Sequence, residues 1–119
     1  MASMEERIEL NYLLDFYGPL LTGHRQELMR LYCEEDLSQQ EIADQLNITR
    51  QGVFDAIAKA RRQLADYEEK LGLVRRWRAQ TAAAEDCLRA LSGVRPSEAD
   101  APALAEARRA LETILRDRV

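Results

Sequence analysis

Helix breakers are scarce in this sequence: five Gly and three Pro in 119 residues. Long regular elements are therefore expected. No run of β-branched residues alternates with polar ones, so no strand is called for. Leu, Ala, Glu, Arg and Gln dominate, and all favour helix. The expected fold class is all-α. No apolar stretch is long enough to span a bilayer. The opening "MASMEERIEL" is acidic and has no apolar signal core, so the expectation is a cytoplasmic chain without membrane insertion. Cysteine is limited to Cys33 and Cys87, which sit on separate expected helices outside any CxxC pair. Two buried, reduced thiols are expected rather than a disulfide.

Catalytic groupings are also lacking. His24 is the only histidine. It falls on the polar start of a helix, with no Ser, Cys or Asp cluster beside it. Glu34-Glu35 and Glu68-Glu69 read as solvated helix faces. There is no phosphate-binding glycine loop and no metal-ligand spacing. The expectation is a non-enzyme with no cofactor and no metal. A surplus of positive charge is missing too. The formal net charge is −4, which argues against indiscriminate nucleic-acid binding. Its distribution is uneven. Residues 1–36 carry eight acids and three bases, and residues 37–69 carry six and four. Residues 70–84 carry four bases and no acid, and residues 85–119 seven acids and six bases. The one basic island runs from Lys70 to Arg78.

What is present is a succession of amphipathic helices. Leu10, Leu13, Leu14 and Tyr17 recur at helical spacing over about residues 4–17, and Gly18-Pro19 ends that helix. Thr22 is a plausible cap for a second helix with Leu28, Leu31, Tyr32 and Cys33 inward. "SQQE" at Ser38 is a capping box. Ile42, Ala43 and Leu46 follow on one face. Asn47 suits a left-handed turn, Ile48 anchors that turn, and Thr49 caps the next helix. There Val53, Ala56, Ile57, Ala60 and Leu64 share a face. Ala43, Gly52 and Ala56 are small enough for two helices to approach, as a helix-turn-helix corner requires. Gly72 ends or kinks the fourth helix. A further helix is expected over about 73–91, then the linker "VRPSEADAP", then a last helix from near Pro102 with Leu104, Ala107, Leu111, Ile114 and Leu115 as its seam. The division expected is a helix-turn-helix domain over 1–72 and a C-terminal helical extension or hairpin over 73–119.

The corner raises the question of DNA. On a helical wheel Gln51, Asp55, Ala58, Lys59 and Arg62 form the outer ridge of the fourth helix, and Arg50, Phe54 and Arg61 one flank. A major-groove reader would set Arg50 and Gln51 on base edges. Asp55 would then face phosphate, and it stands in the favourable order to pair with Lys59. Arg50, Lys59 and Arg62 read equally as a solvated face. Phe54 is expected to be partly exposed, against the first helix or a partner. In the basic island, Arg75, Arg76 and Arg78 surround Trp77, with Lys70 a turn or two earlier. Arginines fork onto phosphate and Trp stacks on bases. Alternatively, Trp77 packs with Leu73 and Val74 and the arginines are solvated. Leu64, Tyr67, Leu71, Val74, Arg78, Thr81, Glu85 and Leu88 keep a 3-4 spacing too diluted for a long coiled coil, which leaves a hairpin or a homodimer contact.

"LTGHRQELMRLYCEEDLSQQEIADQLNITRQGVFDAIAKARRQL" resembles the fourth region of bacterial sigma factors. The wider stretch, with "LDFYGPLLT", "DLSQQEIA", "TRQGVFDAI" and "YEEKLGL", resembles the YlxM family of small bacterial proteins over roughly residues 8–80. That resemblance implies a regulatory protein linked to the signal recognition particle pathway. The link rests on genes lying beside those of the particle's GTPase. The particle's protein, its RNA, or both would be the partner. DNA is the partner in the alternative reading, a sequence-specific transcriptional regulator. The resemblance assigns the last ~30 residues no role.

Overall fold

The computed structural model describes residues 3–116. Among them are six α-helices and no strand: α1 (Met4–Tyr17), α2 (Gly23–Cys33), α3 (Gln39–Leu46), α4 (Arg50–Leu71), α5 (Leu73–Ser92) and α6 (Ala101–Arg116). A single 3-10 turn, Gly18–Leu20, follows α1 where Pro19 interrupts it. No helix of the described residues is long and apolar enough to cross a membrane.

Each of the first four helices starts on a hydroxyl that satisfies an otherwise orphan amide. Ser3 Oγ accepts from the Glu6 amide at 3.1 Å, and Thr22 Oγ1 from the Arg25 amide at 3.3 Å. Ser38 completes the box in both directions. Its Oγ accepts from the Glu41 amide at 3.1 Å, and its own amide donates to Glu41 Oε1 at 3.0 Å. These bonds favour the ionised Glu41 and hold its carboxyl below the usual range. Asn47 takes up φ 57° to close α3, and Thr49 Oγ1 accepts from the Gly52 amide at 2.9 Å to open α4. The corner therefore forms as its sequence indicates. Gly52 has a different reason from the one expected. A Cβ there would meet Thr49 Oγ1 at 3.1 Å and no atom of α3 within 4 Å. Its smallness makes room for the cap, not for the neighbouring helix.

The core gathers α1 to α4. Leu10, Tyr17, Leu28, Leu31, Ile42, Ala43, Val53, Ile57, Ala60 and Leu64 are all buried. Leu21 and Met29 join them, although neither lies on the inward stripes read from the sequence. Gly72, at φ 62°, terminates α4, and its amide bonds the Glu68 carbonyl at 2.8 Å. This break interrupts the 3-4 seam expected to run from Leu64 to Leu88. Leu71 is accordingly 46% exposed.

The described chain divides into two compact units. One ends at Val74 and the other begins at Arg75. Val74, read from sequence as part of the C-terminal extension, is buried in the core of the first unit. In the second unit α5 and α6 form a hairpin. Arg108 donates to the Leu91 carbonyl at 3.0 Å. Ala84 is its one buried hydrophobic residue among those described.

The two cysteines also divide. Cys33 is half-buried, and burial pushes its thiol up to about 11, against the opposing pull of Arg7 and Arg61. Cys87 is exposed, not buried as expected.

Candidate functional site

The helix-turn-helix places Arg50 and Gln51 in the first turn of α4, both exposed. Gln51 does not stand open to a base edge. Its Nε2 donates to Asp55 Oδ1 at 3.0 Å. That bond also corrects the expected pairing of Asp55 with Lys59, for which no ion pair occurs among the described residues. Gln51 lies one turn before Asp55 and reaches it with a short side chain, whereas the Lys59 ammonium would have to order four methylenes. Lys59 and Arg62 remain exposed further along the same helix.

Phe54 lies 54% exposed on the flank between these polar groups and the core. It borders two adjoining depressions. The first is shared with Gln39, Arg50 and Gln51. The second, of about 400 Å³, is lined by Glu6, Tyr32, Gln39, Phe54, Ile57, Ala58 and Arg61. Helices α1, α2, α3 and α4 each contribute to that groove. Its floor includes an aromatic ring under a cation: the Arg61 guanidinium carbon sits 5.9 Å from the Tyr32 ring centroid. Arg7 approaches the same ring at 5.7 Å and ion-pairs with Asp36 at 2.6 Å. Arg61 differs, because its Nε is enclosed and has no hydrogen-bond partner. An enclosed N–H without an acceptor carries a desolvation cost that a hydrogen bond to a bound group would offset.

The basic island spans the end of α4 and the start of α5. Lys70 is in the last turn of α4, exposed. Arg75, Arg76 and Arg78 are exposed on the first turns of α5, and Trp77 between them is half-buried. The structure thus brings together Arg50, Gln51 and Phe54. Lys59 and Arg62 lie along the same α4 helix, and Arg75 to Arg78 belong to the second unit.

Sequence reasoning missed two things here. Arg61 was placed on the right flank but not counted with the site. Its signal was present, since it lies on the same wheel sector as Phe54. Tyr32 and Gln39 gave no such signal, because only the fold brings them beside Phe54. The second omission is a clasp joining the ends of the first unit. The Tyr17 hydroxyl donates to Glu68 Oε1 at 2.6 Å. The same hydroxyl oxygen accepts from the Leu73 amide at 3.1 Å, and Glu68 Oε1 accepts from the Val74 amide at 3.0 Å. Two first-turn donors of α5 are thereby satisfied, with a carboxylate at the positive end of the helix. Burial, reinforced by the Glu68 bond, raises the Tyr17 phenol above its ordinary value. The clasp ties "DFYGPL" to "YEEKLGL", the two segments that make this chain more than a generic helix-turn-helix.

Among the described residues, no group of His, Cys, Asp and Glu is arranged to hold a metal ion. Comparison with known proteins agrees on the family. A profile described as "Putative helix-turn-helix protein, YlxM / p13 like" matches residues 4–98. A UPF0122 protein of Desulforamulus reducens is 43% identical over 96 residues, covering 81% of this chain and 82% of that protein. One from Acetivibrio thermocellus is 44% identical over 91 residues, covering 76% and 78%. One from Clostridium acetobutylicum is 48% identical over 75 residues, covering 63% and 65%. No solved structure matches. With a profile spanning most of its length and relatives this similar, the chain belongs to the UPF0122 family of YlxM / p13-like helix-turn-helix proteins.

Proposed function

We propose that this protein is a non-enzymatic regulatory accessory of the signal recognition particle pathway, and that it binds the particle's protein or RNA through its helix-turn-helix unit. Family membership supports the pathway. The observation that carries the binding mode is the Phe54 groove. An exposed aromatic residue beside an arginine whose enclosed Nε lacks an acceptor suits a partner that supplies both apolar surface and a hydrogen-bond acceptor. The groove's own charge is mixed, since Glu6 lines it with Arg61. Phosphate contacts supply most non-specific DNA affinity, and the outer ridge offers few. Asp55 sits on it and engages Gln51.

The test is retention of the particle's protein and its RNA, separately and together, on the immobilised chain. Binding by at least one of them, weakened by Phe54→Ala and Arg61→Ala, is expected. Retention of neither overturns the proposal. In that assay Arg75, Arg76 and Arg78 replaced by Gln separate the two partners. Weaker binding with a flatter salt dependence identifies RNA. Loss concentrated in Phe54→Ala or Trp77→Ala identifies protein.

Arg50 favours a second reading. It opens α4 at an exposed position, where a major-groove reader places a base contact. A sequence-specific DNA regulator would enrich one motif from a random duplex pool, and Arg50→Ala would relax it. An unenriched pool at low salt removes this reading.

A further inference from the structure

Two opposite charges face the Phe54 groove without meeting. Glu6 and Arg61 both line it. Both also line a neighbouring depression of about 310 Å³, with Glu9, Leu10 and Leu13. No ion pair joins Glu6 to Arg61 among the described residues. The other arginines of α1 and α2 have acceptors within the unit: Arg7 in Asp36, Arg25 in Gln63, and Arg30 in Glu27 and Glu35. Arg61 instead lies against the Tyr32 ring with its enclosed Nε unsatisfied.

The depressions also adjoin in a row. Gln39 and Phe54 are common to the first and second, and Glu6 and Arg61 to the second and third. Together they form a trough beside α4. Arg50 lines its first part and Arg61 its last. The 11 residue steps between them span about 16 Å of helix. Apolar side chains continue along it, from Phe54 through Ile57 to Leu10 and Leu13.

We infer that this trough seats one amphipathic α-helix of a protein partner. The apolar stripe of that helix lies along Phe54, Ile57 and Leu13. Within one turn it offers a carboxylate to Arg61 and a basic side chain to Glu6. The inference rests on the proposed reading of the groove as the binding site, and it names the occupant. Charge complementarity selects protein over nucleic acid. A phosphate backbone carries one sign only, and in this trough it would meet Glu6. A helix carries both signs, and side chains three or four residues apart on it stand about 5–6 Å from each other. Glu6 and Arg61 border one depression of about 400 Å³, so a single turn reaches both. The backbone argues for a helix over an extended segment. An extended peptide takes its main-chain bonds from a sheet edge, and the described residues form no strand. A helix satisfies its own amides and carbonyls, and about three turns of it fill 16 Å.

The test uses the immobilised full chain and a display library of stable helical hairpins randomised along one exposed face. Enrichment of helices that carry an apolar stripe flanked by one acid and one base is expected. Glu6→Lys and Arg61→Glu should each weaken a selected helix by at least ~10-fold. Exchanging the acid and the base in that helix should restore binding to the chain carrying both substitutions, and abolish binding to the natural chain. Circular dichroism monitors the fold of each variant. Glu6 is exposed, so Glu6→Lys decides the question alone if Arg61→Glu loses helicity. An unenriched library overturns the inference, as do selected helices that Glu6→Lys does not weaken. A dimer of the free chain that Glu6→Lys disperses would put a second copy in the trough, and would overturn it too. The proposed pathway stands or falls separately. Enriched helices without retention of any particle component remove the pathway and leave the docked helix. Retention of the particle's RNA through Phe54, with no helix enriched, does the reverse.

Discussion

The two units are both helical, yet only the first behaves as a core. Thirteen buried hydrophobic side chains belong to it, against Ala84 alone in the second unit among the described residues. Composition does not explain this, since α5 and α6 are rich in Leu and Ala. The difference is geometrical. In the first unit three helices converge on α4 and enclose its apolar stripe from several directions. In the hairpin the seam leucines of α5 and α6 are only half-buried, because two helices cover only part of each other's apolar sector. A core requires a third direction of contact, whatever the residues.

That contrast can be broken by substitution. Ile42→Ala should have the largest effect. It removes a fully buried side chain where α3 meets the core, and a cost of about 2–5 kcal/mol is expected from lost burial plus the cavity. Urea unfolding at equilibrium measures it. A cost under 1 kcal/mol would mean that the first unit is as loosely held as the hairpin.

Tyr17→Phe comes next, at about 1–3 kcal/mol, because the Leu73 amide loses its acceptor and Glu68 a donor. This variant also has a pH signature. The Tyr17 phenol is raised in the folded chain, so its contribution is fully present below its ordinary value of 10.0 and is lost as pH rises through the raised value. Thermal melting of the natural chain should fall more steeply above that point than melting of Tyr17→Phe. Parallel pH profiles would remove the clasp from the stability of the first unit.

Ser38→Ala should cost about 1 kcal/mol by removing the cap of α3. Glu41 works in the opposite pH direction from Tyr17. Its carboxyl is lowered in the fold, so the box's contribution is present above the ordinary value of 4.5 and is lost as pH falls through the lowered one. Melting of the natural chain should therefore fall in acid toward that of Glu41→Gln. Ser38→Ala keeps the backbone amide that Glu41 accepts from, so it should show much of the same acid fall from a lower starting point.

The smallest effect is expected in the hairpin. Leu104→Ala should cost under ~1 kcal/mol, since the side chain is only half-buried. A cost comparable with Ile42→Ala would show that the hairpin does hold a core of its own.

What could be read from the sequence follows the same division between local and distant. Ser38, Asn47, Thr49 and Gly72 announce themselves because a cap or a left-handed residue is decided within four positions of the chain. The inner face of α4 was equally legible from its period. Distance in the chain hid the rest. Nothing near Tyr17 in sequence indicates Glu68, 51 residues away. Met29 entered the core because its helix is enclosed more widely than one stripe allows. Cys87 is exposed because residue type alone does not decide burial; its place on the hairpin does. At the candidate site the wheel set Phe54 and Arg61 side by side correctly. It could not supply Tyr32 and Gln39, which arrive from two other helices, nor foresee that Asp55 would engage Gln51 before Lys59.

The clasp at Gly72 also bears on how such a chain can change over generations. Tyr17 and Glu68 satisfy the amides of Leu73 and Val74, so both acceptors that open α5 come from the first unit itself. Changes further along α5 or in α6 leave those two acceptors in place. Such a junction is a point of evolutionary tolerance, where a tail can be lengthened, exchanged or lost while the helix-turn-helix persists.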